Sequence, residues 1–315
     1  MFKAKNIAAV ALLAAVYTAI KILRLTGIFG SYHEITIAQI CINMLLACSL
    51  NLITGFAGQF SLGHAGFMSI GAYACALIII RFPSVYGFML GLIAGSLASA
   101  VVGLAIGIPT LRLSGDYLAI ATLGMAEIIK VVFFNLKITN GAAGLMNIPR
   151  LMNWEWMFCL TAGSVALINN FINSRHGRAC MSIREDEIAS QSVGIDIALY
   201  KIAAFAIGAF FAGISGGMYA AYFYVLKPGI FGLLKSIDIL VIVVLGGLGS
   251  ISGSIIGAAL LTLISALLQD FASLRMIIYA LMLIAIMMFR PQGLLGTNEI
   301  SFALFTRALK RESAK

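Results

Sequence analysis

V-Y-G-F-M-L-G-L-I-A-G-S-L-A-S-A-V-V-G-L-A-I-G-I, residues 85–108, carries no charged side chain and no polar/apolar alternation. A helix that crosses a bilayer needs about 20 mostly apolar residues, and this stretch meets that length. A membrane barrel would instead show segments of about ten residues with alternating polarity. In hydrocarbon only helices or a closed barrel satisfy every backbone N–H and C=O. The stretch therefore reads as a membrane helix, and the rest of the chain repeats it.

The whole sequence is 61% hydrophobic and 10% charged, and its mean hydropathy is +1.03. A water-soluble domain carries about 25% charged residues. The expected fold is all-α, a polytopic transmembrane bundle of about ten spans that includes broken or short helices. Candidate spans lie near 7–23, 35–54, 65–80, 85–108, 117–135, 154–173, 198–222, 237–247, 252–269 and 273–290. They form one transmembrane domain over 1–315, with a polar segment at 174–196 and a short basic tail at 291–315. Lys3 and Lys5 before the first run also fit a signal peptide, but no clean small-x-small cleavage site follows. The net charge of +9 is spread between apolar runs. That pattern suits loops that fix topology rather than a nucleic-acid surface. With ten spans, both termini lie on the same side, expected to be the cytoplasm.

The eighth run is too short to cross alone and ends in L-G-G-L-G-S-I-S-G at 245–253. It reads either as a helix broken by glycine inside the membrane or as a tight turn between two spans. G-F-A-G-Q-F-S-L-G-H at 55–64 echoes it. Gly87, Gly91, Gly95, Gly103 and Gly107, and then Gly208, Gly213 and Gly217, are spaced to let helix backbones approach closely.

The polar exception is S-R-H-G-R-A-C-M-S-I-R-E-D-E-I-A-S-Q-S-V-G-I-D at 174–196. Residues 178–193 have helical composition, with Ile183, Ile188, Ala189 and Ser192 on one face. Gly194 ends the helix and Asp196 starts the next. An amphipathic cytoplasmic helix between two spans is the part that a permease would need to receive force from a motor. A solvated loop that only fixes topology is the plainer alternative.

This stretch closely resembles the cytoplasmic loop of LivM-type permeases of branched-chain amino acid ABC transporters. Four more segments match in order: L-N-L-I-T-G-F-A-G-Q-F-S-L-G-H-A-G-F at 50–67, P-T-L-R-L-S-G-D-Y-L-A-I-A-T-L-G at 109–124, V-V-L-G-G-L-G-S-I-S-G-S-I-I-G-A at 243–258 and R-P-Q-G-L-L-G at 290–296. The segment at 139–149 departs from the family's Gly/Pro-rich form. The resemblance implies an importer working by alternating access in a bacterial or archaeal plasma membrane. It implies pairing with a LivH-like second permease, two ATPase subunits and an extracytoplasmic solute-binding protein. Carried over by motif, Arg184, Glu185, Asp186, Glu187 and Gly194 would dock on an ATPase. Gly55, Gly58, Gln59, Ser61, Gly63 and His64 would lie near the translocation path, and Gly246, Gly247 and Gly249 are assigned there similarly.

Glu127 lies inside the fifth run, where a lone charge costs about 2.5–3.5 kcal/mol on insertion scales. Lys130, three residues on, is its expected partner. A role for Glu127 in substrate or proton movement is the alternative. Asp116 is expected to cap this helix. The five cysteines and three histidines show no metal-ligand spacing, and no metal or cofactor is expected in this chain. No G-x-x-x-x-G-K-[ST] occurs, so ATP and its magnesium belong to partner subunits. No H-E-x-x-H or G-x-S-x-G is present and no enzyme activity is expected. Rival readings are a urea or short-chain amide permease of the same build and an ion-coupled carrier using Glu127.

Overall fold

The computed structural model describes residues 30–110, 113, 115–269 and 271, with scattered positions in 14–24 and 277–296. The expected spans at 7–23 and 273–290, the tail at 291–315, Arg112 and both termini fall wholly or largely outside these residues. Among the described residues the regular structure is helical, with one isolated bridge. In chain order the helices are α1 (Ser31–Asn51), α2 (His64–Arg81), α3 (Val85–Thr110), α4 (Asp116–Asn135), α5 (Trp154–Asn173), α6 (Arg175–Glu185), α7 (Glu187–Ser192), α8 (Ile197–Tyr222), α9 (Leu233–Gly246) and α10 (Ile251–Leu267).

Among the described residues, five helical stretches are long and apolar enough to cross a bilayer: Tyr32–Phe56, His64–Arg81, Val85–Thr110, Asp116–Asn135 and Ile197–Tyr222. α5 matches the expected range but is more polar, with Glu155, Asn169, Asn170 and Asn173. α9 has 14 residues and α10 has 17. At 1.5 Å per residue they are about 21 and 26 Å long, short of a hydrocarbon layer of about 30 Å. The Leu233 N–H at the start of α9 donates to Glu127 Oε1 at 3.1 Å. Glu127 lies midway along α4. α9 therefore begins at half depth, and the glycine-rich stretch at its end is a four-residue turn, 247–250, leading into α10.

α2, α3 and α8 pack together most extensively, and α1 joins α8, α10 and α5. The glycines make this approach possible. A Cβ on Gly71 would stand 2.2 Å from the Gly213 carbonyl oxygen, and one on Gly216 only 2.0 Å from that of Met68. Gly95 packs on Gly71 from α3 in the same way, at 2.7 Å. Small residues at helix crossings are what van der Waals packing in lipid requires. Gly87 is different: its would-be Cβ meets the Phe82 carbonyl at 2.1 Å, so it serves the turn before α3.

One end of the bundle is closed by an ordered lid. Leu145 and Leu226 exchange backbone hydrogen bonds, each 2.9 Å. Ile148 and Met152 are buried beneath the segment. The Arg150 guanidinium lies 4.4 Å over the Tyr222 ring and reaches Glu34 at 3.9 Å. The segment that departs from the family's form is thus built on apolar burial and a strand-like bridge.

Replacing Gly216 by alanine should lower the yield of folded protein and the thermal midpoint in detergent, because backbone must move aside. Gly217→Ala should change neither, since its Cβ meets only ordinary contacts from 3.4 Å outward.

Candidate functional site

α1 runs into a π-helical turn, Leu52–Phe56, in which the pairing lengthens by one residue, as from the Ala57 N–H to the Leu52 carbonyl at 3.1 Å. Such single turns inside α-helices recur at functional sites. Residues 57–63 then run without helix until α2 starts at His64. The second break, 247–250, lies directly against the first. A Cβ on Gly55 would sit 2.4 Å from the Gly249 nitrogen. Both breaks have glycines in the left-handed region, Gly58 at φ +69°, Gly247 at +120° and Gly249 at +84°. Only glycine adopts such conformations without strain.

Asn51 joins the two. Its Oδ1 accepts from the Gly249 N–H at 2.8 Å. Its Nδ2 donates to the Ser250 carbonyl and to Ser254 Oγ, both at 2.8 Å, and weakly to the Gly247 carbonyl at 3.4 Å. The carboxamide is fully buried. Every polar atom it carries is used, as a buried amide requires.

The segment at 174–196 packs beneath these breaks. Ser174 caps α6, accepting from Gly177 N at 3.3 Å, and Asp196 caps α8, accepting from Leu199 N at 3.1 Å. The single helix expected over 178–193 is two helices. Asp186 is extended (φ −156°, ψ 115°) and caps α7 by accepting from Ala189 N at 3.0 Å. The interruption resets the helical register, so the expected shared face is lost. Ile183 is buried, whereas Ile188, Ala189 and Ser192 are exposed. Gly194 ends α7 as expected, at φ +86° with open space around its α-carbon. Cys180 packs inward on α6, and burial pushes its thiol up to about 11.

The charged residues of this segment point in different directions. Arg184 turns inward, with a side chain 29% exposed, and its Nη1 donates to the Gly55 carbonyl at 2.7 Å. Its Nε donates to Glu185 at 3.0 Å, and Glu185 itself is largely exposed. Glu187 pairs with Lys201 of α8 at 2.5 Å. Among the exposed polar side chains of α7 and its flank, two large apolar ones also face outward: Ile188 is 82% exposed and Val193 76%. Beside them Glu187, Gln191, Gly194, Asp196 and Lys201 line a groove.

The remaining path candidates divide. Gly63 packs on the Thr122 carbonyl oxygen of α4, and Ser61 is buried with its Oγ 3.4 Å from the Gly63 nitrogen. His64 Nε2 is hydrogen-bonded to Ser49 Oγ at 2.7 Å, and Ser49 Oγ also lies 3.0 Å from the Leu46 carbonyl oxygen. The ring tautomer sets which of the two donates. His64 Nδ1 and both carboxamide atoms of Gln59 are buried with no hydrogen-bond partner among the described residues. Gly246 packs on Gly253 so closely that a Cβ on it would stand 2.3 Å from the Gly253 carbonyl oxygen, which holds α9 against α10.

Glu127 is away from this cluster. As expected, it pairs with Lys130, and its other oxygen holds the start of α9. Nearby, Lys235 donates to Asn43 Oδ1 at 3.0 Å, and Asn43 to Thr262 at 2.9 Å. Asp116 does not cap α4. Gly115 occupies that position at φ +60° and no side-chain cap forms, because a residue already inside the first turn points away from its own N–H groups.

Asn51 and the outward Ile188 and Val193 escaped the sequence reading. Asn51 had a signal: a polar residue in an apolar run, four positions before a glycine. Replacing Asn51 by alanine strands the Gly249 N–H, while the Ser250 carbonyl keeps the Ser254 N–H at 3.1 Å. A buried orphan costs about 1–3 kcal/mol. Thermal unfolding in detergent should therefore fall by several degrees.

The family of the branched-chain amino acid transport system permease component matches residues 32–288. The high-affinity branched-chain amino acid transport system permease protein LivM of Salmonella typhimurium is 34% identical over 90% of this chain and 74% of its own length. The LivH permease protein of Escherichia coli is 25% identical, covering 81% of this chain and 92% of its own. A probable LivM of Methanocaldococcus jannaschii is 24% identical, covering 86% of each. No solved structure matches the chain. A multi-pass helical bundle, two apposed glycine breaks and a match over most of the sequence lead to one assignment: the chain belongs to the permease component family of branched-chain amino acid transport systems.

Proposed function

We propose that this permease is the membrane subunit of an ATP-driven importer of branched-chain amino acids in a bacterial or archaeal plasma membrane. A second, LivH-like permease would complete the path. Two ATPase subunits would bind ATP and magnesium on the cytoplasmic side, since this sequence has no P-loop. A solute-binding protein would deliver substrate at the lidded end, with both termini of the permease in the cytoplasm.

The observation that carries the ATPase contact is the exposed pair Ile188 and Val193 on an otherwise polar segment between two spans. Exposed apolar side chains rimmed by charge suit a protein interface. Ile188→Asp with Val193→Asp should leave the permease folded, since both side chains project outward, and should reduce ATPase co-purification at least about ten-fold, as loss of a buried hot spot does. Retained co-purification would sink the assignment of this surface.

The relatives' names favour branched-chain amino acids over urea or short amides. Uptake of labelled leucine by the reconstituted complex should exceed that of urea, and the reverse would reassign the substrate. A gradient-driven carrier using Glu127 fits poorly, because both carboxylate oxygens already have partners. Transport by this chain alone, driven by an ion gradient, would overturn the ATP-driven reading.

A further inference from the structure

Resting on the ATP-driven reading, we infer that Arg184 is a positioning residue that passes movement of the 174–196 segment to both glycine breaks at once. The motif placed Arg184 among residues that dock on a partner. The geometry turns it the other way.

Three contacts carry this. The guanidinium donates to the Gly55 carbonyl at 2.7 Å, a charge-assisted bond to the first break. The Arg184 stem fills the notch at Gly58, where a Cβ would lie 2.9 Å from Arg184 Cγ. The same guanidinium covers the second break, since a Cβ on Gly249 would lie 2.8 Å from Nη1. One side chain on α6 thus touches both breaks, and Asn51 hydrogen-bonds the second break from the end of α1, beside the first.

Two further guanidinium hydrogens fix its plane. Nε donates to Glu185 Oε1 at 3.0 Å, and Nη2 pairs with the same oxygen. Arginine alone offers such a fork, with one nitrogen free to reach a carbonyl elsewhere. Lysine could reach Gly55 or Glu185, but not both in this plane. Rigid elements with shared contacts are how displacement at one surface reaches another. If α6 shifts, the Gly55 carbonyl and the surface over Gly249 shift with it.

The test uses the complete reconstituted complex and reads leucine imported per ATP hydrolysed, together with ATPase co-purification. Arg184→Ala should lower the ratio roughly 10-fold, the order of one coupling contact, while the ATPases still co-purify and hydrolyse ATP. Arg184→Lys should give an intermediate ratio and serves as the test if the alanine variant does not fold. A ratio equal to that of the unsubstituted complex in either variant overturns the inference. So does loss of the ATPases from Arg184→Ala, which would make Arg184 a docking residue. An unsubstituted complex that imports nothing on ATP overturns the ATP-driven reading, and the inference falls with it.

Discussion

Non-helical backbone inside an apolar bundle needs partners for its N–H and C=O groups, and at the two glycine breaks side chains supply part of them. Water cannot supply them cheaply in a medium of low dielectric constant. The Asn51 carboxamide meets this need at the second break with bonds of 2.8 Å to Gly249, Ser250 and Ser254. Arg184 meets it at the first through the Gly55 carbonyl. Both solutions require glycine. With a side chain at Gly55 or Gly249 the two turns would stand apart and neither partner would reach.

A different economy governs the middle of the bundle. There α9 starts at half depth, and a helix start carries unpaired N–H groups and a partial positive charge. The Glu127 carboxylate accepts one of those groups and is balanced by Lys130. A charge that would be costly alone in a span is thereby placed where backbone and a cation both favour it. Lys235, Asn43 and Thr262 extend polar pairing from α9 to α1 and α10. The short helix is held at its start by charge and at its end by the packing of Gly246 on Gly253.

Features decided by local rules were legible in the sequence. Apolar run lengths located eight described helices to within a few residues. Gly194 and Asp196 were readable because stop and cap signals act over three or four positions. The Glu127–Lys130 pair follows from helical spacing alone. The interruption at Asp186 was hidden because an acidic cap inside E-D-E looks like part of a charged face. That one break took Ile188 off the face it was expected to share with the buried Ile183. The contacts of Asn51 and Arg184 join residues far apart in the chain, and no local pattern encodes them. The eighth run left two readings open. The Leu233–Glu127 bond favours a helix that starts within the bundle.

If Arg184 couples them, the 174–196 segment and the two breaks move as one body. The direct measurement is a pair of dipolar distances in the reconstituted complex, with and without ATP. One pair of spin labels joins position 175, exposed at the start of α6 and not one of the Ile188–Val193 pair, to the exposed position 248; the other joins 175 to 138, in the lid segment at the other end of the bundle. Movement as one body predicts an unchanged 175–248 distance while the 175–138 distance shifts with nucleotide. A 175–248 distance that changes with ATP would contradict it, because the segment would then move without the breaks.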